Sequence, residues 1–73
     1  MNYYINAKEI GARIRKLRIG KELTQQKLAD ALGVTLSSIG RIECGIKMPS
    51  IDLLVDIATF FSASLDYLIL GKQ

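Results

Sequence analysis

The sequence predicts an all-α domain built from five short helices. Apolar residues recur three and four positions apart in five segments, and Asn, Thr or Ser stands directly before each segment, where a helix favours its N-cap. No strand signal and no internal repeat interrupts this pattern. With 73 residues, the chain is long enough for one domain with one hydrophobic core.

The first helix is predicted over residues 7–19. Asn6 and Glu9 have the spacing of a capping box, and apolar residues then recur at helical spacing up to Gly20. Residues 1–6 are predicted to form an N-terminal arm with no legible function. The outward face of the helix is predicted to carry three cations, either as a solvated surface or as phosphate contacts: Arg13, Arg15 and Lys16.

The second and third helices are predicted over residues 25–32 and 36–44. Thr24 and Thr35 each precede an apolar-periodic run, so each hydroxyl can accept a free backbone N–H at a helix start. Gly33 lies between the two runs and can take a positive φ at little cost. Gly45 ends the third helix. These features predict a helix-turn-helix, in which two short helices are held at a fixed angle.

The last two helices are predicted over residues 51–61 and 65–70. Ser50, after Pro49, caps the fourth helix, and Ser64 caps the fifth, which Gly71 closes. The folded domain is therefore expected to span residues 7–71. Its C-terminal half is predicted to give the core these residues: Leu54, Ala58, Phe61, Leu65 and Leu68.

Charge and composition argue against an enzyme and favour an anionic partner. Residues 1–24 carry six basic and two acidic side chains, whereas residues 49–73 carry one basic and three acidic ones. The chain has no histidine, and the single Cys44 excludes an internal disulfide or a multi-cysteine metal site. No nucleophile–base constellation and no glycine-rich phosphate loop is present, so we expect no enzyme activity, no metal and no cofactor. Without a signal-peptide layout or a long apolar run, the protein is expected to be cytoplasmic and not membrane-bound.

Six short motifs occur in a characteristic order between residues 10 and 70. They are IGARIRKLR (10–18), LTQQKLA (23–29), LGVT (32–35), IGRIECG (39–45), PS (49–50) and SLD (64–66). Together they resemble the phage Cro/repressor type of helix-turn-helix domain, in the large xenobiotic-response-element-like family. The resemblance implies a five-helix lambda-repressor-like fold that binds double-stranded DNA, with the third helix in the major groove and the second across the backbone.

The third helix has one face free to read bases. At about 100° per residue, Ile39 and Ile42 share one side of this helix and face the core. The opposite side carries the predicted base-reading residues: Leu36, Ser37, Gly40 and Arg41. Arg41 suits direct readout because its planar fork matches the O6 and N7 acceptors of guanine, although an exposed arginine near a helix end is the alternative.

The sequence leaves the roles of three of these positions open. Leu36 would either contact a thymine methyl or pack against the second helix, and Ser37 could bond a base or a phosphate. Gly40 departs from the family pattern, in which a side chain is usual. It either lets the backbone approach DNA closely or deletes one base contact.

Phosphate contacts and a structural ion pair are implied by the resemblance. The family places phosphate contacts at the start of the second helix and in the loop after the third, which indicates Gln25 and Lys47. Thr35, at the start of the third helix, is a further phosphate candidate. Gln25 could also be a simple helix-start residue, and Lys47 a solvated one. Arg18 and Glu43 match a pair that ties the first helix to the end of the third, so they are assigned a structural role. Cys44 is expected to be a passive thiol, with a redox switch as the alternative.

The expected function is that of a dimeric transcriptional repressor that reads a near-palindromic operator. Candidate homodimer residues are Leu53, Phe60 and Tyr67, although all three could belong to the core. The alternative is a protein-interaction module, such as the antitoxin or adaptor subunit of a complex. No ligand-sensing domain and no small-molecule ligand is expected, because nothing after Gly71 could form such a domain.

Overall fold

Five α-helices make up the fold, which a computed structural model describes over residues 5–72. They are α1 (Ala7–Gly20), α2 (Gln25–Leu32), α3 (Leu36–Glu43), α4 (Ile51–Phe61) and α5 (Leu65–Leu70), and this described range contains no strand. The predicted all-α, five-helix architecture is confirmed. α1 is one residue longer than predicted, and α3 ends one residue earlier, with Cys44 as its C-cap. Residues 1–4 of the predicted arm lie outside the described residues.

The helix starts form at the predicted caps. The hydroxyl of Thr24 accepts the N–H of Lys27 at 3.1 Å, and Asn6 accepts two N–H groups of the first turn of α1. The predicted capping box forms only in part, because the Glu9 carboxylate binds Arg13 at 3.1 Å instead of turning back to the cap. Local sequence therefore sets where each helix begins, as expected for short-range hydrogen bonds.

The core lies where all five helices meet. It is entirely apolar, and α1, α2, α3, α4 and α5 all contribute to it. One expectation is wrong: Leu65, at the first position of α5, is 39% exposed and is not part of this core. The core consists of Ile10, Ile14, Leu28, Ala29, Ile39, Ile42, Leu54, Ile57, Ala58, Phe61 and Leu68.

Two glycines let α1 lie directly against α3 and the turn after it. A Cβ on Gly11 would overlap the backbone carbonyl oxygen of Ile42 in α3. A Cβ on Gly45, where φ is +79°, would lie 2.6 Å from the Cα of Lys8. Both contacts are between backbones, so no side chain can move aside to relieve them. They hold the end of α3 in a fixed position on α1.

Arg13 is not part of a solvated outward face. One of its terminal nitrogens donates to the carbonyl oxygens of Leu68 at 3.0 Å and Ile69 at 3.2 Å, and the other binds Glu9. The guanidinium therefore satisfies carbonyl groups that the last turn of α5 leaves free, and it ties α5 to α1. The prediction of a solvated or phosphate-binding Arg13 is wrong, because the docking of α5 brings these carbonyls within its reach.

Neither a membrane span nor a metal cluster was found in the described part of the chain. No helix among residues 5–72 combines the length and apolar character needed to cross a bilayer. Over the same range, no three His, Cys, Asp or Glu side chains are grouped so that they could hold a metal ion.

Candidate nucleic-acid interface

α2 and α3 are joined by a three-residue turn that redirects the chain. Gly33 takes φ +71° and ψ +29°, and its N–H donates to the carbonyls of Ala29 and Asp30 at the end of α2. Thr35 then opens α3, because its hydroxyl accepts the N–H of Ser38 at 3.0 Å. This turn is the feature that makes the pair a helix-turn-helix.

One face of α3 is buried and the opposite face is open. Ile39 and Ile42 have no exposed surface, whereas Ser37 and Arg41 are exposed. Leu36 is 46% exposed and does not belong to the core. The four candidate base-reading positions therefore lie on the outward side of α3, and Arg41 is the longest side chain among them.

Gly40 has no packing reason to be a glycine. A Cβ built at this position would meet no atom within 4 Å. Gly40 also lies within regular helix, without a positive φ. Its cost to helix stability, about 1 kcal/mol relative to alanine, is therefore not offset by packing inside the fold.

A buried ion pair fixes the end of α3 to α1. Arg18 donates from Nε to one carboxylate oxygen of Glu43 at 2.7 Å and from Nη2 to the other at 3.1 Å. The two side chains are only 11% and 1% exposed. A third bond runs from Arg18 to the carbonyl of Leu23 at 2.7 Å, in the loop before α2. Arg18 thus holds the entry to α2 and the end of α3 together.

Gln25 joins this network, which the sequence did not reveal. Its side-chain amide donates to the Glu43 carboxylate at 3.0 Å, across the turn of the helix-turn-helix. A carboxylate only accepts hydrogen bonds, so the amide nitrogen must face Glu43. The nitrogen keeps a second hydrogen for another acceptor. Nothing in the sequence spacing of Gln25 and Glu43 indicates this contact, because it depends on the α2–α3 angle.

The remaining phosphate candidates are at the surface. Thr35 is exposed at the start of α3, and Lys47 is exposed in the loop after it. The backbone N–H of Lys47 donates to the carbonyl of Arg41 at 3.2 Å, which folds that loop back against α3. The N–H groups of Gln25 and Gln26 open α2 and have no acceptor within the helix, so they are available to an anion.

The candidate dimer residues differ in exposure. Leu53 and Tyr67 are partly buried and pack against the core. Phe60 is 37% exposed, and its ring lies edge-on to Phe61 with centroids 5.0 Å apart. The structure adds three exposed apolar side chains on α4 and α5 that sequence reasoning missed or placed in the core: Ile51, Val55 and Leu65, at 78%, 44% and 39% exposure.

The sequence and fold are similar to those of known helix-turn-helix proteins. The chain is 37% identical over 65 residues to the HTH-type transcriptional activator BcrR of Enterococcus faecalis. This alignment covers 89% of this chain and 32% of BcrR. It is 41% identical over 58 residues to the HTH-type transcriptional regulator YazB of Bacillus subtilis, covering 80% of this chain and 84% of YazB. For most of the curated relatives that it matches, the chain spans about half of their length.

A solved complex with DNA has the same fold. The P22 c2 repressor bound to a synthetic operator superposes with a TM-score of 0.81 at 28% identity, covering 86% of this chain and 96% of the repressor chain. The family model described as helix-turn-helix matches residues 14–68, which include all of α2 to α4, the second half of α1 and most of α5. The chain therefore belongs to the Cro/repressor-type helix-turn-helix family, as the order of its motifs predicted.

Proposed function

We propose that the protein binds double-stranded DNA through α3 and regulates transcription. The observation that carries this proposal is the open face of α3, which presents Arg41, Ser37 and Leu36 while buried contacts with α1 fix the helix behind it. A face without an internal packing partner, on a helix held by buried contacts, suits recognition of a rigid groove. The P22 c2 repressor, with the same fold, is seen on operator DNA, and BcrR and YazB are transcriptional regulators.

Arg41 is the proposed main base reader. An arginine reads guanine through two parallel hydrogen bonds, and such a contact discriminates by about 1–3 kcal/mol. Leu36 contributes an aliphatic contact suited to a thymine methyl, and Ser37 contributes a short polar group. Since Gly40 offers no side chain, base readout is sparse. DNA shape therefore supplies part of the specificity.

Phosphates are proposed to bind where the two helices begin and in the loop after α3. At α2, the free N–H groups of the first turn and the second amide hydrogen of Gln25 point to one anion site. Thr35 and Lys47 supply the other contacts. Such contacts contribute affinity on every sequence and set the register of α3 in the groove.

The regulator is proposed to act as a homodimer that represses by occupying its operator. One domain of this size buries only about 600–1,000 Å² on DNA, so pairing two domains is the usual route to operator affinity. Exposed apolar side chains of α4 and α5 are the candidate contacts for a second copy: Ile51 and Val55 on one flank of α4, Phe60 on its other flank, and Leu65 at the start of α5. A twofold pair would set two copies of α3 about 34 Å apart on a near-palindrome.

Selection of bound duplexes from a random pool is the decisive experiment. An inverted repeat with half-sites one helical turn apart is the expected result, because it reports DNA reading and twofold symmetry together. Enrichment of no sequence would contradict the proposal. With the selected operator placed across a promoter, expression is expected to fall, whereas a rise would show activation instead.

Two variants separate base recognition from phosphate binding. Arg41→Ala is expected to relax the preference at one base pair of each half-site by about 1–3 kcal/mol. Lys47→Ala is the matched control, since it removes one exposed cation from the neighbouring loop and should weaken all sequences alike. An equal loss on every sequence for Arg41→Ala would refute its assigned role.

Self-association can be tested without DNA. Val55→Asp places a charge in the candidate dimer surface and is expected to weaken the dimer measured by sedimentation equilibrium. Ile5→Asp is the control, because Ile5 is 58% exposed and lies before α1, on neither α4 nor α5. If both variants associate as the unmodified protein does, the flank of α4 that carries Val55 is not the interface.

A further inference from the structure

α1 divides its cations between the interior and one exposed groove. Arg13 and Arg18 are bonded to other elements of the fold, as described above. Lys8, Arg15 and Lys16 are exposed, and none of them forms an ion pair with an acidic side chain among residues 5–72. All three line the same open groove, which has a volume of about 580 Å³.

The groove runs between α1 and the end of α3. Its apolar lining comes from Ala12 and Ile19 on α1 and from Cys44, the C-cap of α3. Glu43 also borders the groove, but its carboxylate is held by Arg18 and only 1% of this side chain is exposed. The groove therefore combines three unpaired cations with an apolar floor, and no exposed acidic side chain lines it.

The groove reaches α3 at its C-cap, Cys44. Cys44 follows Arg41 by three positions, so the two residues are neighbours on the helix surface. A duplex that places a base edge against Arg41 consequently brings one of its strands toward the groove. Lys8, Arg15 and Lys16 would then face the backbone of that strand.

We propose that this groove binds a stretch of DNA sugar–phosphate backbone beside the bases read by α3. The DNA backbone alternates anionic phosphates with apolar deoxyribose faces, which matches the cationic rim and the apolar floor. An acidic peptide would also satisfy the cations, but the position of Cys44 beside Arg41 on the surface of α3 favours DNA. This site is separate from the phosphate contacts at the helix starts and Lys47, and it rests on the proposed function.

The test compares the salt dependence of DNA binding among matched variants. Each phosphate contact contributes about −0.9 to the slope of log affinity against log salt concentration. Arg15→Gln and Lys16→Gln are each expected to make that slope less negative by about 0.9 per bound subunit. The loss of affinity between 50 and 200 mM salt then shrinks about 3.5-fold for each contact removed. Lys21→Gln is the control, because Lys21 is an exposed cation just after α1 that does not line the groove.

Phosphate-ethylation interference locates the contact on the DNA. The unmodified protein is expected to show interference at one or two phosphates that disappear with Arg15→Gln and Lys16→Gln and persist with Lys21→Gln. Urea unfolding should give the same midpoint for all three variants, because the side chains are exposed.

Two results would overturn the proposal. If the unmodified protein binds duplex DNA and the groove variants keep its slope and interference pattern, the groove does not meet the backbone, while the proposed function stands. If the unmodified protein binds no duplex at all, the proposed function and this inference both fail.

Discussion

Replacing Arg18 by methionine should test how much of the fold depends on the buried ion pair. The change removes two bonds to Glu43, at 2.7 and 3.1 Å, and one to the carbonyl of Leu23 at 2.7 Å. Glu43 would stay almost fully buried, with only the amide of Gln25 as a donor. An uncompensated buried charge of this kind costs about 3–5 kcal/mol. A domain of this length has a total stability of roughly 4–11 kcal/mol, so Arg18→Met should remove a large part of it.

Urea unfolding followed by circular dichroism measures this loss through a lower midpoint. Arg15→Met is the control, since it makes the same change on the exposed side of α1 and should shift stability by no more than about 0.5 kcal/mol. The double variant Arg18→Met, Glu43→Met removes both charges and should recover most of the loss. The free energy of unfolding of the double variant should stay below that of the unmodified protein, because the carbonyl of Leu23 loses its donor.

The reasoning is refuted in either of two ways. A cost below about 1 kcal/mol for Arg18→Met would mean that Glu43 finds solvent or another donor. A double variant as unstable as the sum of its two single variants would mean that the charges are not coupled.

Three further variants test other contacts. Gly40→Ala should raise the free energy of unfolding by up to about 1 kcal/mol, because its Cβ meets open space; weaker binding of the stabilised variant to all duplexes would show that DNA needs the bare backbone. Gly11→Ala should lower stability by about 1–3 kcal/mol, since its Cβ would overlap the carbonyl of Ile42, whereas Gly20→Ala, with nothing within 4 Å, should not. Arg13→Met should speed amide hydrogen exchange in α5 more than in α2, and equal acceleration in both helices would contradict the proposed clamp.

The sequence was sufficient to predict the positions of the helices, because the signals that start and stop a helix are local. Thr24, Thr35 and Ser64 cap backbone groups within three residues, and such bonds form wherever the rest of the chain lies. The positive φ of Gly33 and of Gly71 likewise follows from the residue type and its place after an apolar run. Errors of one residue at α1 and α3 occur where a last turn tightens.

The open face of α3 was also predictable, because periodicity alone separates Ile39 and Ile42 from Arg41. Which side chains are exposed on α4 and α5 could not be predicted in this way. Leu65 has the apolar character of a core residue, yet α5 has only six residues and buries Leu68 instead. Periodicity over so short a helix cannot decide which of two leucines faces inward.

By itself, the sequence determined the five helices, the turn between α2 and α3, and the residues on the outward side of α3. Apart from the Arg18–Glu43 pair, which the family resemblance implied, tertiary structure alone decided which polar side chains have partners inside the fold. Arg13 and Arg15 are alike in sequence, but α5 docks beside the first and leaves the second in an open groove. Gln25 meets Glu43 only because the turn at Gly33 sets the angle between α2 and α3. These partners are far apart along the chain, so only the packing of the helices brings them within hydrogen-bonding distance.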